Sequence, residues 1–196
     1  MKVVIIQYSA GNTQSVLFAL QRLGVQATVT NNADEIKSAD KVILPGVGAA
    51  KPAMEYLHNL HMVQLISNLK QPVLGICLGM QLLCNYTPEG DTACLNVFKN
   101  IDLKKFEADI MHKVPQVGWN KITHNYSNLF KTMPITNYVY NVHSYYVPIC
   151  EYTTATCNYT LNYSAALQYN NYYGVQFHPE KSSDVGNQIL QNFLNL

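Results

Sequence analysis

With 13 basic and 12 acidic side chains in 196 residues the chain carries a formal charge of +1, so no global field favours nucleic acid or an anionic membrane as a partner. Charged residues make up 13% of the chain, about half the usual share. The gap is filled by Asn and by 14 Tyr, and this aromatic content, with periodic apolar segments, excludes a disordered chain.

The length suits one domain spanning residues 1–196. No N-terminal stretch has the pattern of a secretory signal, and no apolar run approaches a membrane span, so a soluble, cytoplasmic protein is expected. Five cysteines, odd in number and irregularly spaced, suit reduced thiols better than a disulfide framework.

In chain order, Lys2–Ile6 is a continuous apolar run suited to a strand buried on both faces. Asn12 or Thr13 is a plausible cap for a helix bearing Val16, Leu17, Leu20 and Leu23 and ending near Gly24. A short strand from Gln26 to Val29 follows. Lys41–Leu44 is the next buried strand, and it runs into Pro45-Gly46-Val47-Gly48 before a helix starting near Pro52. That loop lacks the spacing of a phosphate-binding loop, so exposed backbone N–H groups for an oxyanion are its better reading. Helical periodicity runs through Met54 to Leu69, and Pro72 opens a further apolar strand.

Strands alternating with helices imply right-handed βαβ crossovers and a largely parallel central sheet with flanking helices, an α/β fold. Ligands of such sheets bind beyond the carboxyl ends of the strands. After Leu83 the pattern changes to short strands near Leu95–Phe98, Trp119–Thr123, Tyr138–His143, Tyr152–Cys157, Ala165–Gln168 and Tyr172–Phe177, read as an antiparallel C-terminal part. Asn170-Asn171 signals a hairpin turn. A last helix runs from about Asp184 to Leu194.

Two stretches carry chemistry. In Gly75-Ile76-Cys77-Leu78-Gly79-Met80-Gln81 two glycines flank a cysteine between a strand and a helix, the spacing of a nucleophile elbow. A helix N-terminus there favours a thiolate, although Cys77 alone is as readily a small core residue. In Gly174-Val175-Gln176-Phe177-His178-Pro179-Glu180 a strand ends in an imidazole with a carboxylate two residues on. Cys77, His178 and Glu180 together supply a nucleophile, a base and a group to hold the base. No metal is expected, because no second His or Cys lies at ligand spacing.

These two stretches and Pro45-Gly46-Val47-Gly48 resemble the triad (class I) glutamine amidotransferases, and the resemblance spans almost the whole chain. Within that group, Gly11-Asn12, Val114-Pro115-Gln116-Val117-Gly118-Trp119-Asn120 and His178-Pro179-Glu180-Lys181-Ser182-Ser183 resemble the glutaminase subunits of imidazole glycerol phosphate synthases.

The resemblance implies a flavodoxin-like amidotransferase domain without a cofactor. In it Cys77 attacks the glutamine side chain, His178 moves the proton and Glu180 orients the imidazole. The N–H of Leu78 and one from Val47 or Gly48 would hold the oxyanion. Gln81, Glu89 and the Ser144-Tyr145 backbone would bind the head group of the amino acid. It further implies a heterodimer with a (β/α)8-barrel cyclase subunit that receives the ammonia, docked against Asn12, Trp119, Tyr138 and Lys181.

Two departures bear on the partner. Relatives usually carry His-Met where Gln116-Val117 stands, near the expected interface, and Gly-Leu-Gly in place of Cys94-Leu95-Asn96. An altered face would suit a paralogous subunit that supplies ammonia to a surface-sugar-modifying synthase. A third reading, a binding subunit with a vestigial site, is opposed by the intact triad.

Overall fold

The computed structural model describes residues 1–8 and 12–196. Gly11, part of the N-terminal motif, lies outside the described residues.

The first half alternates strands and helices: β1 (Val3–Ile6), α1 (Thr13–Arg22), β2 (Ala27–Thr30), α2 (Ala33–Lys37), β3 (Lys41–Leu44), α3 (Ala50–Asn59), α4 (Met62–Ser67), β4 (Val73–Ile76) and α5 (Leu78–Leu82). Asn12 caps α1, its side chain accepting the Ser15 N–H at 3.2 Å. The second half is richer in strands: β5 (Tyr86–Thr87), β6 (Thr92–Ala93), β7 (Lys104–Lys105), β8 (Gln116–His124), β9 (Thr136–His143), β10 (Tyr145–Tyr146), β11 (Thr153–Asn158), β12 (Asn162–Tyr169), β13 (Tyr172–Val175), then α6 (Ser183–Leu194).

Among the described residues, nine strands form one sheet in the order β2-β1-β3-β4-β13-β12-β11-β8-β9. The pairings from β2 to β13 are parallel and those from β13 to β9 antiparallel. Strand β13 therefore joins both halves, parallel to β4 on one side and antiparallel to β12 on the other. Asn170, at φ 52°, forms with Asn171 the two-residue turn that closes Tyr169 against Tyr172.

Alternation along β1 divides the interior. Val3 and Ile5 face a core shared with Leu20 of α1 and Ile189 and Phe193 of α6, whereas Val4 and Ile6 face a second core with Ile36, Leu57 and Ile66. Both faces of the parallel half are thus covered, which is why its strands read as unbroken apolar runs. No helix among the described residues is long and apolar enough to cross a membrane.

Two expectations need correction. The periodic stretch from Met54 to Leu69 is two helices, because His61 adopts a left-handed backbone with φ 54° and ends the first ladder. The segment Leu95–Phe98 is buried but is not a strand. Its N–H groups turn to the end of α5: Leu95 donates to Leu82, Asn96 to Cys84, and Val97 and Phe98 both to Leu83. Its apolar side chains signalled burial correctly, and its hydrogen bonds satisfy the last carbonyls of a short helix.

Candidate active site

Cys77 stands between β4 and α5 with φ 51° and ψ −109°, a conformation that an L-residue adopts only under restraint. The restraint is close packing. A Cβ on Gly79 would run into the Leu44 carbonyl, and one on Gly46 would lie 2.5 Å from the Gly79 nitrogen. The elbow and the Pro45–Gly48 loop therefore touch backbone to backbone. The Cys77 N–H is held by the Val175 carbonyl at 2.8 Å, and its sulfur lies 3.7 Å from the Val142 carbonyl and from the amide nitrogen of Gln176.

The neighbouring strand supplies the imidazole. Val175 pairs with Ile76, so Cys77 and Gln176 follow on adjacent strands and His178 lies two residues further. Its Nδ1 is 2.8 Å from Glu180 Oε1. A carboxylate only accepts, so Nδ1 carries a proton and Nε2 is left for the thiol. Both side chains are buried. Burial pulls the His178 pKa down, but hydrogen bonds to Cys77 and Glu180 and the charges of both outweigh it, raising the value to about 10. Backbone bonds fix the ring's base: His178 N–H donates to Tyr140 at 2.9 Å, and the Ser182 hydroxyl donates to the His178 carbonyl at 2.7 Å.

These groups open on a cavity of about 310 Å³, a size suited to a small polar ligand. Cys77, His178, Val47, Gly48, Leu78, Gln81, Glu89, Ser144 and Tyr145, all selected from sequence, line it, whereas Glu180 lies behind His178. Gln81 donates to the Tyr145 carbonyl at 3.2 Å and to Gln176 at 3.0 Å. Glu89 Oε2 accepts the Ala50 N–H at 2.8 Å, so this carboxylate also supplies the cap that Ala49 cannot give to α3. A strained, buried thiol beside a carboxylate-held imidazole can attack a carbonyl carbon and protonate a leaving amine.

Four contributors went unread in the sequence. His143, Val142 and Pro115 complete the lining, and the buried Tyr8 hydroxyl donates to the Pro45 carbonyl at the root of the glycine loop. A strand pattern of alternating burial marks His143 only as an inward position, which carries no chemical signal. A larger cleft of about 770 Å³ lies by Pro72, Asn170 and Leu196, at the opposite ends of β4 and β13, and its lining includes neither cysteine nor histidine.

The four residues selected for docking divide. Trp119 is 53% and Tyr138 61% exposed, on the outward face of the β8–β9 pair, where Trp119 sits opposite Tyr140. Lys181 is exposed, with Nζ 6.0 Å from the centre of the Tyr140 ring, and also borders the cavity. Asn12 is half-buried, its side chain engaged in capping α1. Of the departing pair, Val117 is 60% exposed but Gln116 only 2%. Gln116 alternates inward on β8, so that half of the departure changes the interior and leaves the docking face alone.

Comparison with known proteins agrees with this architecture. The family described as glutamine amidotransferase class-I matches residues 4–196, and the chain belongs to it. Among its relatives are the imidazole glycerol phosphate synthase subunits HisH of Bacteroides fragilis, 51% identical over 198 residues, and Bacteroides thetaiotaomicron, 49% identical over 197, with all of both chains covered in each case. The HisH subunit of Pasteurella multocida is 44% identical over 98% of this chain and 96% of its own. In fold, PurLQS from Thermotoga maritima superposes with a TM-score of 0.75 at 15% identity, covering 99% of this chain and 97% of that one.

Proposed function

We propose that the chain, as one amidotransferase domain over residues 1–196, is the glutamine-hydrolysing subunit of an imidazole glycerol phosphate synthase in cytoplasmic histidine biosynthesis. One observation carries the reading: a Cys77 thiol and a His178–Glu180 pair meet on a cavity bordered by Gln81 and Glu89. The full-length HisH relatives support the pathway.

In this reading His178 Nε2 takes the thiol proton and the Cys77 sulfur attacks the side-chain carboxamide carbon of glutamine. Negative charge gathers on the oxygen, stabilised by the Leu78 N–H and one from the Val47–Gly48 loop. His178 gives its proton to the departing nitrogen, the C–N bond breaks, and ammonia leaves a γ-glutamyl thioester. Water, deprotonated by His178, attacks the thioester carbon; glutamate is released and the thiol regenerated. Glu180 keeps the imidazole in the productive tautomer throughout. Glu89 is suited by charge to the α-ammonium of the substrate.

The ammonia passes to a (β/α)8-barrel cyclase subunit docked on the face that bears Trp119, Tyr138 and Lys181. The test is co-purification with the imidazole glycerol phosphate synthase barrel of the same organism, followed by assay of glutamine hydrolysis. A stable complex with stimulated hydrolysis is the expected result; neither complex nor stimulation would sink the assignment.

A further inference from the structure

His143 lies on the cavity wall, yet no step above uses it. Its Nδ1 is 2.8 Å from the Tyr145 carbonyl. A carbonyl only accepts, so Nδ1 bears a proton. The ring is buried and tilts against Phe106 at 5.5 Å, with Tyr163 edge-on at 5.4 Å. Burial, helped by the positive charge of His178 and only partly offset by the Tyr145 carbonyl, lowers its pKa to about 4. The ring is therefore neutral near pH 7, with its single proton on Nδ1 and a bare Nε2.

Nε2 then requires a donor. The Tyr163 hydroxyl, fully buried, is 3.3 Å away. That hydroxyl has one proton and three acceptor directions: His143 Nε2, Gln116 at 3.1 Å and Asn141 at 3.5 Å. Asn141 is at the limit of hydrogen-bond distance. A Gln116 amide turned to donate its NH2 to the tyrosine oxygen frees the Tyr163 proton for His143, at the cost of the long contact to Asn141 Oδ1. The chain then has one direction, from Gln116 to Tyr163 to His143 to the Tyr145 carbonyl. That carbonyl also receives Gln81 at 3.2 Å.

We infer that His143 is a positioning residue of the glutamine site: in the Nδ1–H tautomer, with the Tyr163 hydroxyl donating to its Nε2, it fixes the Tyr145 carbonyl from one side while Gln81 fixes it from the other. Without this grip the Ser144-Tyr145 backbone has one anchor fewer on the cavity wall. The device also gives Gln116 a task. Strand β8 presents Val117 and Trp119 outward and Gln116 inward, so a shift of that strand reaches the site through this chain of bonds. The inference rests on the glutaminase reading for its kinetic arm only.

The first test needs neither glutamine nor a partner. In full-length protein labelled with 15N-histidine, long-range 15N–1H correlations near pH 7 should show His143 as the Nδ1–H tautomer, the minor form in free histidine. Tyr163→Phe removes the donor to Nε2 but not the Tyr145 carbonyl, so the Nδ1–H form should persist while the Nε2 resonance shifts with the loss of its hydrogen bond; a switch to the Nε2–H form would overturn the inference. An Nε2–H tautomer in the unaltered protein would overturn the inference. The second arm measures hydrolysis in the complex with the synthase barrel. His143→Leu should raise KM for glutamine about 10-fold with a smaller change in kcat, whereas His143→Asn, which keeps a donor near the Nδ1 position, should restore KM to within about 3-fold. A His143→Leu variant that folds with unchanged KM also overturns it. If that variant does not fold, the tautomer of the unaltered protein still decides.

Discussion

Val175 lies opposite Ile76 in the parallel pairing of β13 with β4. The next residue on one strand is Cys77, whose N–H is held by the Val175 carbonyl at 2.8 Å. Two residues beyond Gln176 on the other strand is His178. The encounter of thiol and imidazole is thus a consequence of strand register.

Cys77→Ala is expected to abolish glutamine hydrolysis while leaving the fold intact, since a small buried side chain is replaced by a smaller one. Glutamate release should fall by at least about 1,000-fold, since nothing else in the cavity can form the thioester. Glu180→Gln preserves shape but not charge, and should lower kcat by on the order of 100-fold or more. Activity surviving Cys77→Ala would remove the mechanism.

Much of this site was legible in the sequence because its chemistry falls in short contiguous motifs. The runs Val3–Ile6, Lys41–Leu44 and Val73–Ile76 announced strands covered on both faces, and the glycines around Cys77 announced the elbow. What stayed hidden depends on contacts between distant residues. His61 breaks a helix without a glycine or proline to mark the place, and Leu95–Phe98 looks like a strand because burial, not pairing, set its composition. Tyr8 gains its role only from a partner 37 residues away, and the setting of the His143 imidazole is completed by one 20 residues away.

The alkaline limb of stability should report His178. Its folded pKa is raised from 6.5 to about 10, so its contribution is complete below pH 6.5 and is lost as pH rises through 10. Glu180→Gln removes one of the groups that raise it. The melting temperature of the unaltered protein should therefore fall more steeply between pH 7 and 10 than that of Glu180→Gln; equal slopes would contradict the charged pairing.

On the acid side the sign is reversed for His143, whose folded pKa is depressed from 6.5 to about 4. The unfolded chain binds a proton in that window and the folded chain does not. Stability is full above pH 6.5 and declines toward pH 4, with a loss of roughly 2 kcal/mol by pH 5. His143→Asn cannot titrate there. Denaturant unfolding at pH 7 and pH 5 should show a smaller decline for His143→Asn than for the unaltered protein.

Gly79 is a packing requirement, because a Cβ there would collide with the Leu44 carbonyl. Gly79→Ala must separate the elbow from the Pro45–Gly48 loop. We expect it to cost about 1–3 kcal/mol of stability and to lower kcat through displacement of the oxyanion donors. A variant as stable and active as the unaltered protein would show that the loop and elbow can part freely.

Trp119 tests the docking face separately from the catalytic chemistry. Its ring is over half exposed and meets Tyr140 edge-on at 6.0 Å, beside outward-facing Tyr138, Val117 and Val142. An exposed tryptophan contributes little to folding, but at the centre of an interface it is among the residues whose truncation costs most. Trp119→Ala should therefore leave the melting temperature nearly unchanged and weaken binding to the synthase barrel by about 10- to 100-fold, equivalent to roughly 1.4–2.8 kcal/mol. Titration of the barrel onto each protein, with glutamine hydrolysis followed in parallel, separates the outcomes. Weaker binding with full stimulation at saturation places Trp119 in the interface alone, whereas unchanged affinity would move the docking face elsewhere.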